Sequence, residues 1–281
     1  AGYEARDAID KVVFYTERLE DQITENTLLT NRLCKSLEND ELFLEFQPQI
    51  DCDTGKTVGV EALLRWTIDG RERVPPDRFV PILEQTGLIY DVGLWVFEQA
   101  LQGHNRLVAK GFSPLRFSVN LSVVQFQGED FIRDFAKVLE ASRVDPKYIE
   151  LEITESLFSK DPEDVLRKLY ELKALGVSIA IDDFGTGYST LSRLGLVPFD
   201  RIKIDKEIID QIDLEQKASP LTEISILLAK AFKASITAEG VETKEQADFL
   251  KSIDCDEIQG YYFSRPLPME ALEEFLVKES T

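Results

Sequence analysis

The feature that most constrains this chain is a repeat of short β-branched or aromatic runs, most of them followed by a stretch of helical spacing. The runs are Leu42 to Gln47, Thr57 to Leu64, Arg116 to Asn120, Tyr148 to Ile153, Val177 to Ile181, Arg201 to Ile204, Ser235 to Ala238 and Glu257 to Tyr262. Strands that alternate with helices pair in parallel, because each helical crossover carries the chain back to the start of the sheet. About eight such units predict a barrel of the TIM type. The first connection, Asp51-Cys52-Asp53-Thr54-Gly55-Lys56, is too short for a parallel crossover and reads as a hairpin. The expected fold is an α/β, modified TIM-type barrel of about eight strands, with the first strand antiparallel to the second.

Ahead of the barrel, Leu19, Ile23, Leu29, Leu33 and Leu37 recur at helical spacing among charged residues. They predict a linker helix from about Phe14 to Glu38. Packing on the barrel and a coiled-coil role are both open to it, since so few heptads cannot decide. The expected organisation is an N-terminal segment and linker helix over 1–38 and one domain over 39–281. With 281 residues and 43% hydrophobic content the chain can bury one substantial core. It does not begin with Met, and its only Met is Met269. We therefore expect it to be part of a longer protein.

Charge and residue counts exclude several functions. A formal charge of −20 repels a nucleic-acid polymer, which is bound by cationic surfaces that release counterions. Cys34, Cys52 and Cys255 are odd in number and form no C-x-x-C arrangement, so neither a disulfide framework nor a zinc knuckle is expected, and a reducing cytoplasm is the matching compartment. There is no secretory signal and no apolar run of ~18 or more residues. His104, the only histidine, falls in an amphipathic helix predicted from about Leu88 to Ala109, where a solvated or partly buried role is expected. A metal site in this chain must rely on oxygen ligands, which suit Mg²⁺ or Mn²⁺ better than zinc or copper.

In a TIM-type barrel the functional groups sit at the C-terminal ends of the strands. Here nearly every strand offers one. Glu61 lies in the second run, Asn120 ends the third, and Glu152 lies near the end of the fourth. Asp182 and Asp183 end the fifth and run into Phe184-Gly185-Thr186-Gly187-Tyr188, Lys203 lies in the sixth, Glu239 follows the seventh and Gln259 lies in the eighth. Adjacent carboxylates repel unless something cationic sits between them. Together these oxygens could hold one or two hard cations, an arrangement that clamps the attacking and leaving oxygens of a phosphodiester. Lys203 is a candidate for fixing water or stabilising charge on the nonbridging oxygens, and Glu239 for accepting a proton. A paired-carboxylate glycosidase would use the same strand ends but has no need of Asp182-Asp183, Asn120 and Lys203 together.

Several segments then carry a resemblance. Glu61-Ala62-Leu63-Leu64-Arg65-Trp66, Asn120-Leu121-Ser122, Glu152-Ile153-Thr154-Glu155, Asp182 to Gly187, Lys203-Ile204-Asp205, Ala238 to Glu242 and Gln259 to Leu267 resemble, in order and spacing, EAL domains, which are bacterial phosphodiesterases of cyclic di-GMP. The resemblance covers about Asn39 to Val277. It implies metal-dependent hydrolysis of cyclic di-GMP to linear pGpG by a metal-activated water, with Mg²⁺ or Mn²⁺, two per site. Glu61, Asn120, Glu152 and Asp182 would hold the first metal, and Asp182 and Asp183, with Glu239 directly or through water, the second. Lys203 would bind the catalytic water. Gln47, Leu63, Arg65, Gln259 and Pro266 would contact the dinucleotide, Arg65 at a phosphate. Glu155 would stabilise the loop from Asp183 to Ser189, and Asp205 and Glu242 would orient Lys203 and the ligands, with a helix-capping role as the alternative for either. The resemblance also implies a homodimer and an upstream sensor or diguanylate-cyclase-like domain; Ala8 to Phe14 faintly resemble the end of such a cyclase domain. The rival reading is a non-catalytic cyclic di-GMP receptor.

Overall fold

The structure, a computed structural model, describes residues 27–159, 162–185, 195–212 and 219–279. The segment from Ala1 to Phe14, part of the linker-helix reading and most of the loop after Gly185 lie outside the described residues. The described residues divide into two compact units, 27–43 with Arg65–Ile89, and Leu44–Leu64 with the described residues from Tyr90 onward.

In the smaller unit, residues 27–33 are helical and bury Leu29 and Leu33. The helix stops there and not at Glu38. The Ser36 hydroxyl donates to the Leu33 carbonyl at 2.7 Å, and Asp40 turns the chain with φ of 53°. Beyond the turn, Glu41 accepts from the Trp66 indole at 3.2 Å and pairs with Arg32, which also pairs with Asp69. Trp66, fully buried, packs edge-on against Phe79 of helix α1 (Pro76–Thr86), their ring centres 5.7 Å apart. Burying such a side chain stabilises by roughly 1.5–3 kcal/mol. The same unit contains a short strand that the sequence pattern did not predict. β3 (Glu72–Val74) pairs antiparallel with the end of β2 (Thr57–Ile68), placing Trp66 opposite Val74.

The larger unit is built on the barrel. Its strands are β1 (Leu42–Asp51), β2, β4 (Arg116–Asn120), β5 (Ile149–Thr154), β6 (Ser178–Phe184), β7 (Arg201–Ile204), β8 (Ser235–Ala238) and β9 (Glu257–Ile258). β2, β4, β5, β6, β7, β8 and β9 run parallel, each hydrogen-bonded to the next. β1 is antiparallel to β9 and also pairs with β2, which closes the ring. The expected antiparallel first strand is therefore present. Its hairpin is held by Asp51, whose carboxylate accepts from the Thr54 backbone N–H at 2.7 Å.

Alternate strand residues face outward and are apolar: Val60 and Ala62, Phe117 and Val119, Leu151 and Ile153, Ile179 and Ile181, Ile202 and Ile204 are all buried. Helices cover this face, among them α2 (Ile89–Ala109), α4 (Phe131–Ser142), α5 (Pro162–Ala174) and α7 (Pro220–Phe232) around the short α3 (Val123–Phe126) and α6 (Lys206–Ile209). His104, on α2, is only 5% exposed, deeper than the sequence reading placed it, and lies against Phe117 and Tyr148 with ring centres 5.6 and 5.3 Å away. Burial holds its imidazole below the ordinary value.

One run is shorter than predicted. β9 ends at Ile258, and the chain then turns through Gly260 and rejoins β1 by a bridge between Leu267 and Phe46, with N–H to O distances of 2.7 and 2.9 Å. Gln259 therefore follows the strand, not lies within it.

Candidate active site

Period-two alternation along a strand sends every second side chain into the barrel interior, and in this chain that inward set is largely polar. At the C-terminal end of the parallel strands it forms a carboxylate cluster around one ammonium. Lys203 Nζ on β7 lies 2.7 Å from Glu152 Oε2 on β5, 2.6 Å from Glu239 Oε1 just after β8, 3.2 Å from Asp182 Oδ1 on β6 and 3.7 Å from Glu61 Oε2 on β2. Asn120 Nδ2, at the exposed end of β4, donates to Glu61 Oε1 at 2.7 Å. Gln259 Nε2 donates to Glu61 Oε2 at 2.6 Å and to Gln47 Oε1 at 3.1 Å, and Gln47 Nε2 donates to the Ser264 carbonyl at 3.1 Å. Gly260 makes this placement of Gln259 reachable, because a Cβ there would overlap the backbone of Val241.

The adjacent aspartates depend on a local irregularity. β6 carries both aspartates, as the sequence suggested, and runs one residue past them to Phe184. Between the pairs Ile181 with Ile202 and Phe184 with Ile204, β6 carries one more residue than β7. This bulge interrupts the alternation that would aim neighbouring side chains to opposite faces. Asp183 takes φ of 53°, a left-handed conformation that Asp tolerates better than most residues. Gly185 follows, and its N–H donates to Glu155 Oε1 at 3.2 Å.

The electrostatics follow from gathering four carboxylates, those of Glu61, Glu152, Asp182 and Glu239, around one buried cation, with Asp183 exposed beside them. Burial opposes the Lys203 charge, but Asp182, Glu152, Glu239 and Glu61 outweigh it and hold the ammonium well above its usual range. Glu152 moves the other way: burial, then the Glu61 charge, push its carboxyl well up, with Lys203 only partly offsetting them. Burial also works against Glu61, yet Lys203 and the Gln259 and Asn120 donors keep its carboxyl below the ordinary value. Glu239 is pushed up to about 8 by burial, with Asp182 and Glu61 adding to it against Lys203. Asp183 reaches solvent, but lost hydration and the charges of Asp182 and Asp205 push it up to about 6.

Whether hard cations fit this cluster can be judged from its donors. They are oxygens, in excess of the one ammonium, and Glu152 Oε1 is buried with no hydrogen-bond donor among the described residues. That is the chemistry Mg²⁺ or Mn²⁺ favours. In this arrangement the carboxylates close on the lysine, and among the described residues no three acidic, histidine or cysteine side chains stand as a ready-spaced cation cage.

The other predicted residues lie as follows. Leu63 is half-buried on β2, and Pro266 is half-buried just before the Leu267 bridge. Arg65 is half-buried and belongs to the smaller unit. Asp205 caps α6, its Oδ1 accepting from the Glu207 N–H at 2.7 Å, which is the capping alternative. Glu242 is exposed and pairs with Lys206 at 3.0 Å, not with Lys203. The sequence reading missed Gln49, Arg116, Glu150, Arg201, Thr237 and Glu257, which fill the layer of the interior next to the cluster. Their signal was present as polar residues two apart: Gln47 and Gln49, Glu150 and Glu152, Arg201 and Lys203, Thr237 and Glu239, Glu257 and Gln259.

The structure is a closed α/β barrel of the TIM type with an oxygen-rich ionisable cluster at the C-terminal strand ends, where such barrels carry their functional groups. The EAL domain model matches residues 30–266, and the chain belongs to the EAL domain family. It is 34% identical over 97% of its length to MucR of Pseudomonas aeruginosa, a bifunctional diguanylate cyclase/cyclic di-GMP phosphodiesterase, covering 40% of that protein. It is 36% identical over 92% of its length to the oxygen sensor protein DosP of Escherichia coli, covering 32% of it. Among solved structures, the PaMucR phosphodiesterase in its c-di-GMP complex superimposes with a TM-score of 0.82 at 35% identity, over 87% of this chain and 99% of that one. The chain spans about a third of the length of the curated relatives it matches, from 31% to 40%.

Proposed function

We propose that this chain is a metal-dependent phosphodiesterase domain that hydrolyses cyclic di-GMP to linear pGpG in second-messenger signalling. The observation that carries the reading is the convergence of Glu61, Glu152, Asp182 and Glu239 within 3.7 Å of Lys203 Nζ. The names of the relatives supply the substrate. Glu61, Asn120, Glu152 and Asp182 would hold one cation, and Asp182, Asp183 and Glu239 a second. Bound there, Mg²⁺ or Mn²⁺ supplies Lewis acidity toward the phosphodiester and acidifies water. In this reading Lys203 would hold a water molecule or a nonbridging oxygen by hydrogen bonding, its charge secured by its neighbours. Glu239, 2.6 Å from Lys203 Nζ, is the candidate to accept a proton in this reading. Gln47, Leu63, Gln259 and Pro266 line the dinucleotide in this reading. Arg65 is assigned to a phosphate on the family motif alone. Glu155 braces the start of the loop after Asp183.

The same reading makes residues 1–38 the connection to an upstream sensor or cyclase-like domain, which fits relatives two to three times longer. No helix among the described residues is long and apolar enough to cross a membrane. The proposed compartment is the cytoplasm. A homodimer is supported by the stripe of Leu221, Ile224 and Leu227 on α7, each about half exposed or more. One observation favours the second reading, a non-catalytic receptor: the carboxylates close on the Lys203 ammonium and leave no ready-spaced cage.

Incubating the purified chain with cyclic di-GMP and Mg²⁺ or Mn²⁺, with and without chelator, and separating the nucleotides decides between them. pGpG that appears only without chelator is the expected result. Binding of the dinucleotide with no cleavage under either metal would favour the receptor.

A further inference from the structure

The interior layer next to the carboxylate cluster is charged, and the proposed reaction does not use it. Arg116 Nη1 and Nη2 donate to Glu257 at 3.0 and 2.5 Å, and Arg116 Nε lies 3.1 Å from Glu150 Oε1. Arg201 Nε donates to Glu150 Oε2 at 3.0 Å, and its Nη2 lies 3.1 Å from Glu257 Oε1. Ser118 and Thr237 complete the set with bonds of 2.9 Å to Glu150 and 3.0 Å from Arg201. Two guanidiniums and two carboxylates thus interlock across the barrel.

One side chain joins this layer to the cluster. Gln49, fully buried on β1, accepts from Arg116 Nη2 at 2.8 Å through Oε1 and donates through Nε2 to Gln259 Oε1 at 2.9 Å. Gln259 Nε2 in turn donates to Glu61 Oε2 at 2.6 Å. The direction of this chain is not free. A guanidinium has donors and no acceptor, so the Gln49 oxygen must face Arg116 and its nitrogen must face Gln259. Gln259 then has its oxygen engaged and turns both amide hydrogens toward Glu61 and Gln47. Reversing either amide would set like groups against each other between two buried side chains.

Gly59, two residues before Glu61 on the same face of β2, leaves the room for this. A Cβ on it would stand 2.6 Å from Gln49 Oε1 and 3.0 Å from Arg116 Nη2. Its φ is not positive, so the missing side chain, not backbone freedom, is what the position uses.

We propose that Gln49 is a positioning residue that carries the donor-only polarity of Arg116 through Gln259 to Glu61, fixing which way that carboxylate faces and so how well it receives a cation. The inference rests on the metal-binding reading of Glu61. The test is Mn²⁺ affinity, read on the full chain from the free-Mn²⁺ electron paramagnetic resonance signal without substrate. Gln49→Glu places an acceptor where Gln259 needs a donor and forces that amide to turn; it should weaken Mn²⁺ binding about ten- to a hundredfold. Gln49→Met, which keeps the volume and removes both polar groups, should weaken it in the same direction and serves if the charged variant does not fold. In a Gln259→Met background either Gln49 change should have no further effect, because the relay is already cut. Unchanged affinity in the Gln49 variants, or full additivity with Gln259→Met, overturns the proposal while leaving metal binding intact. No Mn²⁺ binding by the unsubstituted chain overturns the metal reading itself.

Discussion

Replacing Lys203 with Met removes a charge and keeps most of the volume, and the structure says what this costs. The ammonium lies within 3.7 Å of four carboxylates, three of them within 3.2 Å, and is 1% exposed. Removing one partner of a buried ion pair costs about 3–5 kcal/mol, because the survivor keeps its desolvation penalty. Glu152 and Glu239 already lean toward their neutral forms, so part of the charge left behind can be discharged by proton uptake. The lower end, about 3 kcal/mol, is therefore expected. For a chain of this size that corresponds to a fall in melting temperature of about 6–12 °C. Thermal unfolding at pH 7 in chelator measures it. Adding Mn²⁺ should return more stability to the variant than to the unsubstituted chain, because a cation then supplies the charge that the lysine no longer does; a ligand at about 100 times its Kd contributes about 2.7 kcal/mol. A variant as stable as the parent in chelator would refute the description of Lys203 as the counter-charge of the cluster.

Three further outcomes are expected. Asp183→Asn should lower turnover of cyclic di-GMP at least tenfold while far-UV circular dichroism stays unchanged; unchanged turnover removes Asp183 from the second metal site. Arg65→Ala should raise KM more than it lowers kcat if the guanidinium binds ground and transition states alike, and steady-state kinetics showing a loss in kcat alone would count against that role. His104→Phe should flatten the acid limb of stability. Its folded-state value lies below the ordinary 6.5, so the stability that depends on the neutral ring is fully present above about 6.5 and is lost as pH falls through the lower folded value. Melting temperatures at pH 7.5 and 5.5 should differ less in the variant than in the parent, and an equal difference would exclude His104 as a contributor.

Much of this protein was legible without coordinates. Strand and helix alternation gave the barrel, and the short Asp51 to Lys56 connection gave the direction of β1, because loop length limits which pairings a chain can make. The polar residues at strand ends gave the cluster, since a TIM-type barrel brings those ends to one face. Tertiary structure decided the rest. That β6 runs on past Asp182 and Asp183 depends on a bulge against β7, and a register shift is a property of two strands, not of one sequence. That β9 stops at Ile258 depends on the backbone of Val241, which lies against Gly260 and takes over the hydrogen bonds the strand would have made. Glu242 and Asp205 sit beside the site motifs in sequence but pair with Lys206 and the first turn of α6, because partner choice for an exposed carboxylate is settled by what lies nearby in space. The interlocked Arg116, Glu150, Arg201 and Glu257 could be suspected from polar residues two apart, yet which guanidinium meets which carboxylate across the barrel is fixed only when the ring closes. The sequence determines which side chains face inward, through the period of the strand; closure determines which of them touch, and with that the charge, the proton affinity and the orientation of every group in the site.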